Sequence, residues 1–406
     1  MRVVILNHFF YPDEAATAQL NGDLAQSLSE SDDITVIGLC GVTRYALKEK
    51  QAPGSSRWEK VTIQRMACTD FGTKNIPGRL SDYATFFFQA IRYLLFGPKS
   101  DLVIAMTSPP LIVIAGVLAK IFRGTKLIYW VQDLYPEIIA PESSKRERPV
   151  FRALMHIAQW VDKHTDMHVV PGECMRETLR KRSTGRKMNI EVIPNWSIVP
   201  TNESTPLTTM DFREKWDLEK RFVIMYSGNL GRAHDWNTIA EGFRLVYEKH
   251  PGAVLLIIGY GYGKDRLAQW HTSRQDIPVT FLPHQPRSDL KTILGSADLH
   301  LISQSPEFDG LVVPSKFYGI ASVFKPVHFI GSLHNTVSKT IHTHCLGSVS
   351  PAYDPEQFAS CVSKFISHPD YAANCAQAME EWYLREGTPG VPLAHWKKAI
   401  KALSQR

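Results

Sequence analysis

The feature that most constrains this chain is a repeated alternation of short, uninterrupted aliphatic runs with segments of helical period. VVILN leads into TAQLNGDLAQSLSE, and ITVIGL, VTIQRM, LVIAM, LIYWV, MHVV and IEVIP follow. Runs apolar on both sides belong in a parallel sheet covered by helices, which makes a doubly wound α/β layer. Residues 194–210 are rich in Pro, Ser and Thr, and after them the pattern restarts with FVIMYSG, VLLIIGYGYG, VTFLP, LHLIS and PVHFIG. The expectation is two Rossmann-like doubly wound domains facing a central cleft, over residues 1–200 and 201–385. A helix over residues 386–406 is expected to pack back on the first domain. A length of 406 residues suits such a division.

The net charge of +6 fits anionic partners such as nucleotide phosphates or acidic headgroups, and is too small to argue for nucleic acid. The six cysteines are scattered without a C-x-x-C pair, which suits reduced thiols and a cytoplasmic protein. MRVVILNHFF reads as a first strand and not as a signal peptide. The best spanning candidate, LIVIAGVLAKIF, follows Pro109-Pro110, contains Lys120 and falls short of the ~20 residues a bilayer requires.

In doubly wound sheets ligands sit beyond the carboxyl ends of the strands. FVIMYSGNLGRAHDWNTI is such an end: Gly228 and Gly231 permit a sharp turn beside Asn229, and Arg232 offers a charged fork. If a helix opens there, its free N–H groups face an anion. A tight strand-to-helix turn with a solvated arginine is the plainer alternative. In VPSKFYGIAS, Pro314 and Ser315 suit a helix start, which presents Lys316 near a second set of N–H groups. Alone, Lys316 also reads as an ordinary surface lysine. Together the two segments would hold a diphosphate and stabilise the charge that builds on it as a bond to it breaks.

IIGYGYGKDRL brings Gly259, Gly261 and Gly263 to another strand end, where the backbone can approach a base or ribose or simply turn. Asp133 and Glu137 in WVQDLYPEI could hold a sugar hydroxyl or face developing positive charge, although Asp133 could equally cap a helix. His8, Tyr11, Asp13 and Glu14 follow the first strand and are candidates for the acceptor side, and loop polarity explains them equally well. The spacing of His342, His344 and Cys345 does not suit a metal site, and no D-x-D pair is present, so neither metal nor cofactor is expected. RLSDYATFFFQAIRYLLFGPK could lay apolar side chains into a lipid interface with Arg79, Arg92 and Lys99 at the headgroups; MRETLRKRSTGRK adds a second basic cluster. The alternative is a core helix with a solvated charged face.

Taken in order, NHFFYPDEAATAQLNGDLAQSL, SPPL, VQDLYPE, VVPGECMRETL, VIPNW, YSGNLGRAHD, IIGYG, ADLHLIS and VPSKFYGIAS resemble the GT-B-fold glycosyltransferases of family four. The similarity runs along most of the chain and is nearest to the subgroup that builds bacterial extracellular polysaccharide, O antigen and colanic acid. It implies a metal-independent transferase that keeps the donor's anomeric configuration. A nucleoside diphosphate sugar would lie on the second domain and a lipid-linked saccharide on the first, with an anionic membrane surface as a further candidate partner. By motif position Gly228, Asn229, Gly231, Arg232 and Lys316 would handle the diphosphate, with Asp133 beside the transferred sugar. The pattern departs from the family in three places. Gly319 and Leu311 stand at the positions of the Glu-x7-Glu element, leaving Glu307 or Asp309 as substitutes; Phe324 replaces a glycine; and SLHNTVSKTI replaces an acidic-glycine loop. A sugar-nucleotide epimerase on the same fold and a non-catalytic binding relative are the alternative readings.

Overall fold

The computed structural model describes residues 1–42, 51–71, 76–141, 148–183, 187–199 and 207–405. Two compact units result. The first is Met1–Pro194 with Gly310–Val312 and Pro392–Arg406; the second is Asn195–Asp309 with Val313–Val391. The break expected at 200/201 lies outside the described residues.

The first unit holds β1 (Arg2–Leu6), β2 (Thr35–Gly41), β3 (Gly54–Trp58), β4 (Val61–Met66), β5 (Leu102–Ala105), β6 (Lys126–Trp130), β7 (Met167–Val170) and β8 (Ile190–Val192). They form one sheet in the order β3-β4-β2-β1-β5-β6-β7-β8, in which only the β3–β4 pair is antiparallel. The order reverses between β1 and β5, which marks the crevice for a ligand. Every side chain of β5 and β7 is buried, as strands covered on both faces must be. The C-terminal helix Gly390–Ser404 is part of this unit. Its Trp396 meets Trp130 edge-on at 4.8 Å, Leu403 O accepts from Lys126 Nζ at 2.7 Å, and Lys397 pairs with Glu30 at 2.6 Å.

The second unit holds β9 (Phe222–Ser227), β10 (Ala253–Ile258), β11 (Val279–Leu282), β12 (Leu299–Ser303), β13 (Val327–Ile330) and β14 (Gly347–Ser350), all parallel, in the order β11-β10-β9-β12-β13-β14. Alternate residues of β9 and β10 enter two cores. Ile224, Tyr226, Leu255 and Ile257 meet Phe243 and Phe358 on one face, and Val223, Met225, Leu256 and Ile258 meet Phe212, Leu218 and Ile293 on the other. Each such apolar side chain contributes roughly 1.5–3 kcal/mol of burial. The order reverses between β9 and β12, so the loops after these two neighbours, carrying Arg232 and Lys316, bound the crevice of this sheet.

Candidate anion site of the second unit

β9 ends at Ser227 and the next helix, Trp236–Lys249, begins eight residues beyond Gly228. That helix opening is closed to an outside anion. Asp235 caps it with its own carboxylate, whose Oδ1 accepts from Thr238 N at 3.1 Å while Oδ2 accepts from Tyr353 N at 2.8 Å. At the short helix Lys316–Ala321, Pro314 O accepts from Phe317 N and Ser315 O from Tyr318 N, while Lys316 N has no acceptor among the described residues. Of the expected pair of open helix starts, the one at Trp236 is therefore filled by the carboxylate of Asp235. The loop before it offers other donors. Among the described residues, the backbone N–H groups of Asn229, Gly231, Arg232 and Ala233 have no acceptor, and Asn229 and Arg232 are exposed.

Lys316 stands beside this loop, where a Cβ built on Gly228 would lie 3.9 Å from its Nζ. Its Nζ donates to the Tyr226 hydroxyl, which in turn donates to Asn229 O at 3.1 Å. Burial pushes the Lys316 pKa down to about 7, with no carboxylate among its causes. The same ammonium, after burial, helps hold the His234 pKa down near 3, so that imidazole is neutral and its Nδ1 is bonded to Ser303 O. A half-buried cation without a counter-charge among the described residues, next to a row of unpaired N–H groups, is built to take an anion. Arg232 is exposed at the far end of the loop.

The glycines of IIGYGYG are packed against the anion loop. A Cβ on Gly259 would come 2.3 Å from Gly228 O, and one on Gly261 would come 2.3 Å from Asn229 Oδ1. Their close neighbour is the anion loop, bound through Leu230 N to Tyr260 O at 2.8 Å and Gly263 N to Leu230 O at 2.6 Å. Ser315 is exposed at the start of its helix and caps nothing. Gly319 faces Val199 and Leu294 at 3.5 and 3.7 Å, so a side chain there starts into apolar neighbours and away from the loop. Glu307 is exposed and its carboxylate accepts from the Tyr353 hydroxyl at 3.1 Å; Asp309 accepts weakly from Gln304 and Asn335. Phe324 takes φ +57°, the left-handed region a glycine occupies without strain. Among the described residues no group of three or more His, Cys, Asp or Glu is placed to hold a metal ion.

In the first unit Asp133 follows β6, bridges Val312 through the backbone and caps no helix. Burial pushes its carboxyl up to about 6. Leu311 is buried beside it, its carbonyl accepting from Leu134 N. Glu137 is not an acceptor-side group: its carboxylate is buried against Arg182 at 3.2 Å, and Arg182 also holds Asp162 at 2.8 Å. Of the second basic cluster, Arg182 is therefore buried, while Arg180, Lys181 and Lys187 are exposed. His8 is buried among Phe9, Tyr83 and Phe86, and burial lowers its pKa to about 4. Tyr11 is exposed and stacks on Trp58 at 4.0 Å, Asp13 is buried 4.0 Å from Arg65, and Glu14 is half-buried.

The helix Ile76–Phe96 buries Asp82, Phe86, Ala90 and Leu94, and exposes Leu80, Phe88 and Phe96 together with Arg79 and Arg92; Lys99 beyond it is exposed as well. It is thus neither wholly core nor wholly surface. Among the described residues no helix is long and apolar enough to cross a membrane.

Comparison with protein families matches residues 209–382 to the family described as Glycosyl transferases group 1. The chain is 24% identical over 302 residues to "Probable glycosyltransferase WbjE" of Pseudomonas aeruginosa, covering 73% of this chain and 75% of that one. Among solved structures it is similar to Anabaena HepE in complex with UDP and glucose, with TM-score 0.71, 13% identity, and coverage of 99% and 100%. It is also similar to WaaG, a glycosyltransferase involved in lipopolysaccharide biosynthesis, with TM-score 0.69, 13% identity and 99% coverage of both chains. The chain therefore has the GT-B fold of these structures, and its residues 209–382 match the glycosyl transferases group 1 family.

Proposed function

We propose that this protein is a metal-independent retaining glycosyltransferase of cell-surface polysaccharide biosynthesis, moving a hexose or N-acetylaminosugar from a nucleoside diphosphate sugar to a lipid-linked saccharide. The observation that carries this reading is Lys316: a half-buried lysine with no carboxylate partner among the described residues, set against a loop of unpaired N–H groups. That arrangement suits the diphosphate of a nucleotide sugar, and HepE, to which the fold is similar, was solved with UDP and glucose. As the bond between the anomeric carbon and the diphosphate breaks, negative charge gathers on the departing oxygen, where Lys316 and Arg232 stabilise it. The acceptor hydroxyl forms its bond on the same face and passes its proton to that departing oxygen. Asp133, whose carboxyl is ionised above about pH 6, keeps the role that the resemblance implies for it, beside the transferred sugar.

The lipid-linked acceptor is supported by the surface of the first unit, where the helix Ile76–Phe96 exposes Leu80, Phe88 and Phe96 as well as Arg79 and Arg92. Apolar and basic side chains side by side suit an anionic bilayer.

Incubation with labelled nucleotide sugars and a polyprenyl-diphosphate-linked saccharide tests the reading. Label is expected in the lipid fraction, and Lys316→Ala is expected to lower turnover by a factor on the order of 100 to 1000. Donor conversion without acceptor indicates an epimerase instead, and binding with neither outcome indicates a non-catalytic relative.

A further inference from the structure

Both cations lie against tyrosines, in different ways. Lys316 Nζ donates to the Tyr226 hydroxyl, whereas the Arg232 guanidinium lies 4.6 Å from the centre of the Tyr262 ring. A ring attracts a cation through its quadrupole while carrying no net charge, so it fixes the cation without cancelling its field. A carboxylate in the same place would fix it more firmly and cancel the charge meant for a phosphate.

Tyr226 is wholly buried and belongs to the core. Tyr262 does not: it is 44% exposed, so little of the fold depends on its ring. Its position is nevertheless fixed. It opens the helix Tyr262–His271 directly after Gly261, in the segment whose backbone bonds to Leu230 dock it on the anion loop. Two loops from neighbouring strands thus bring the ring under the guanidinium, and an otherwise free arginine gains a preferred direction.

We propose that Tyr262 is a positioning residue for the diphosphate, acting on Arg232 through its ring, where Tyr226 holds Lys316 through its hydroxyl. The proposal rests on reading this site as the seat of a nucleotide-sugar diphosphate. It implies that the ring matters and the hydroxyl does not.

Titration calorimetry with inorganic pyrophosphate, at fixed pH and ionic strength, tests it on the full chain without knowledge of the base. Tyr262→Phe is expected to bind within about twofold of the native protein, and Tyr262→Leu about three- to tenfold more weakly. In an Arg232→Gln background, Tyr262→Leu is expected to cause no further loss, because the arginine it holds is gone. Unchanged affinity in Tyr262→Leu overturns the proposal, as does an equal loss in the native and Arg232→Gln backgrounds. Thermal melts of each variant separate loss of binding from loss of fold, and Tyr262→Gln provides a second ring deletion should Tyr262→Leu not fold. If Lys316→Ala and Arg232→Gln weaken binding while Tyr262→Leu does not, only the tyrosine assignment falls. If none of them does, the anion site falls with it.

Discussion

Lys316 carries its charge close to the point of losing it, because burial has pushed its pKa down to about 7. A bound diphosphate raises that pKa by favouring the charged form, whereas in the free protein the cation disappears as pH rises through 7. Asp133 works in the opposite sense: its carboxyl gains charge as pH rises through about 6. The profile of kcat/KM against pH is therefore expected to be a narrow bell, rising near 6 and falling near 7, since it reports the free enzyme. Asp133→Asn should remove the rising limb, and Lys316→Arg should move the falling limb upward, because a guanidinium stays protonated to far higher pH. A flat profile in the native protein contradicts both assignments. Glu137 gives the contrasting case. Its carboxylate belongs to the buried cluster with Arg182 and Asp162, so Glu137→Ala is expected to cost about 3–5 kcal/mol of stability by denaturant titration. A variant of native stability would contradict the structural role. Lys316 could be singled out from VPSK, but its partner Tyr226 lies 90 residues earlier. Burial and partner, which give the lysine its chemistry, are tertiary facts. Glu137 was misplaced for the same reason: a carboxylate after a strand looks alike in sequence whether it meets a ligand or an arginine.

Among the elements, those legible in the sequence were the ones built from aliphatic runs. β1, β2 and β4 to β13 all stand on aliphatic runs of the chain. β3 and β14 were missed because GSSRW and GSVS carry no apolar period; they are edge strands held by one neighbour each. The anion loop was legible as glycine and arginine after a strand, but its mechanism was not. The opening at Trp236 is capped by Asp235, leaving the loop N–H groups as donors there. The helix Ile76–Phe96 carries the membrane prediction, because its exposed face sets Phe88 and Phe96 beside Arg92. The protein should float with anionic vesicles in low salt, less so in high salt, and Arg92→Glu should weaken flotation further. Equal recovery with neutral and anionic vesicles would remove the electrostatic part of that account.

At the scale of the whole molecule, the double restart of strand and helix foretold two parallel sheets, and each sheet reverses its strand order once. That reversal sets β9 beside β12 and so places the Arg232 and Lys316 loops at one crevice. Sheet order could not be read from the chain, because it depends on which strands pair and not on where they lie in sequence. The departures at Gly319 and Phe324 likewise gain meaning only in the fold: one turns toward apolar side chains, and the other is a phenylalanine in a backbone region that glycine enters without strain. The central claim is that the site of Lys316 and the loop N–H groups receives a nucleoside diphosphate. Calorimetry with a panel of nucleoside diphosphates tests it most directly, comparing the native protein with Lys316→Ala near pH 6.5. At least one member of the panel is expected to bind the native protein, with affinity lower by about ten- to hundredfold in the variant, as loss of a charge-assisted contact requires. Equal affinities in a folded variant would place the diphosphate elsewhere and contradict the account.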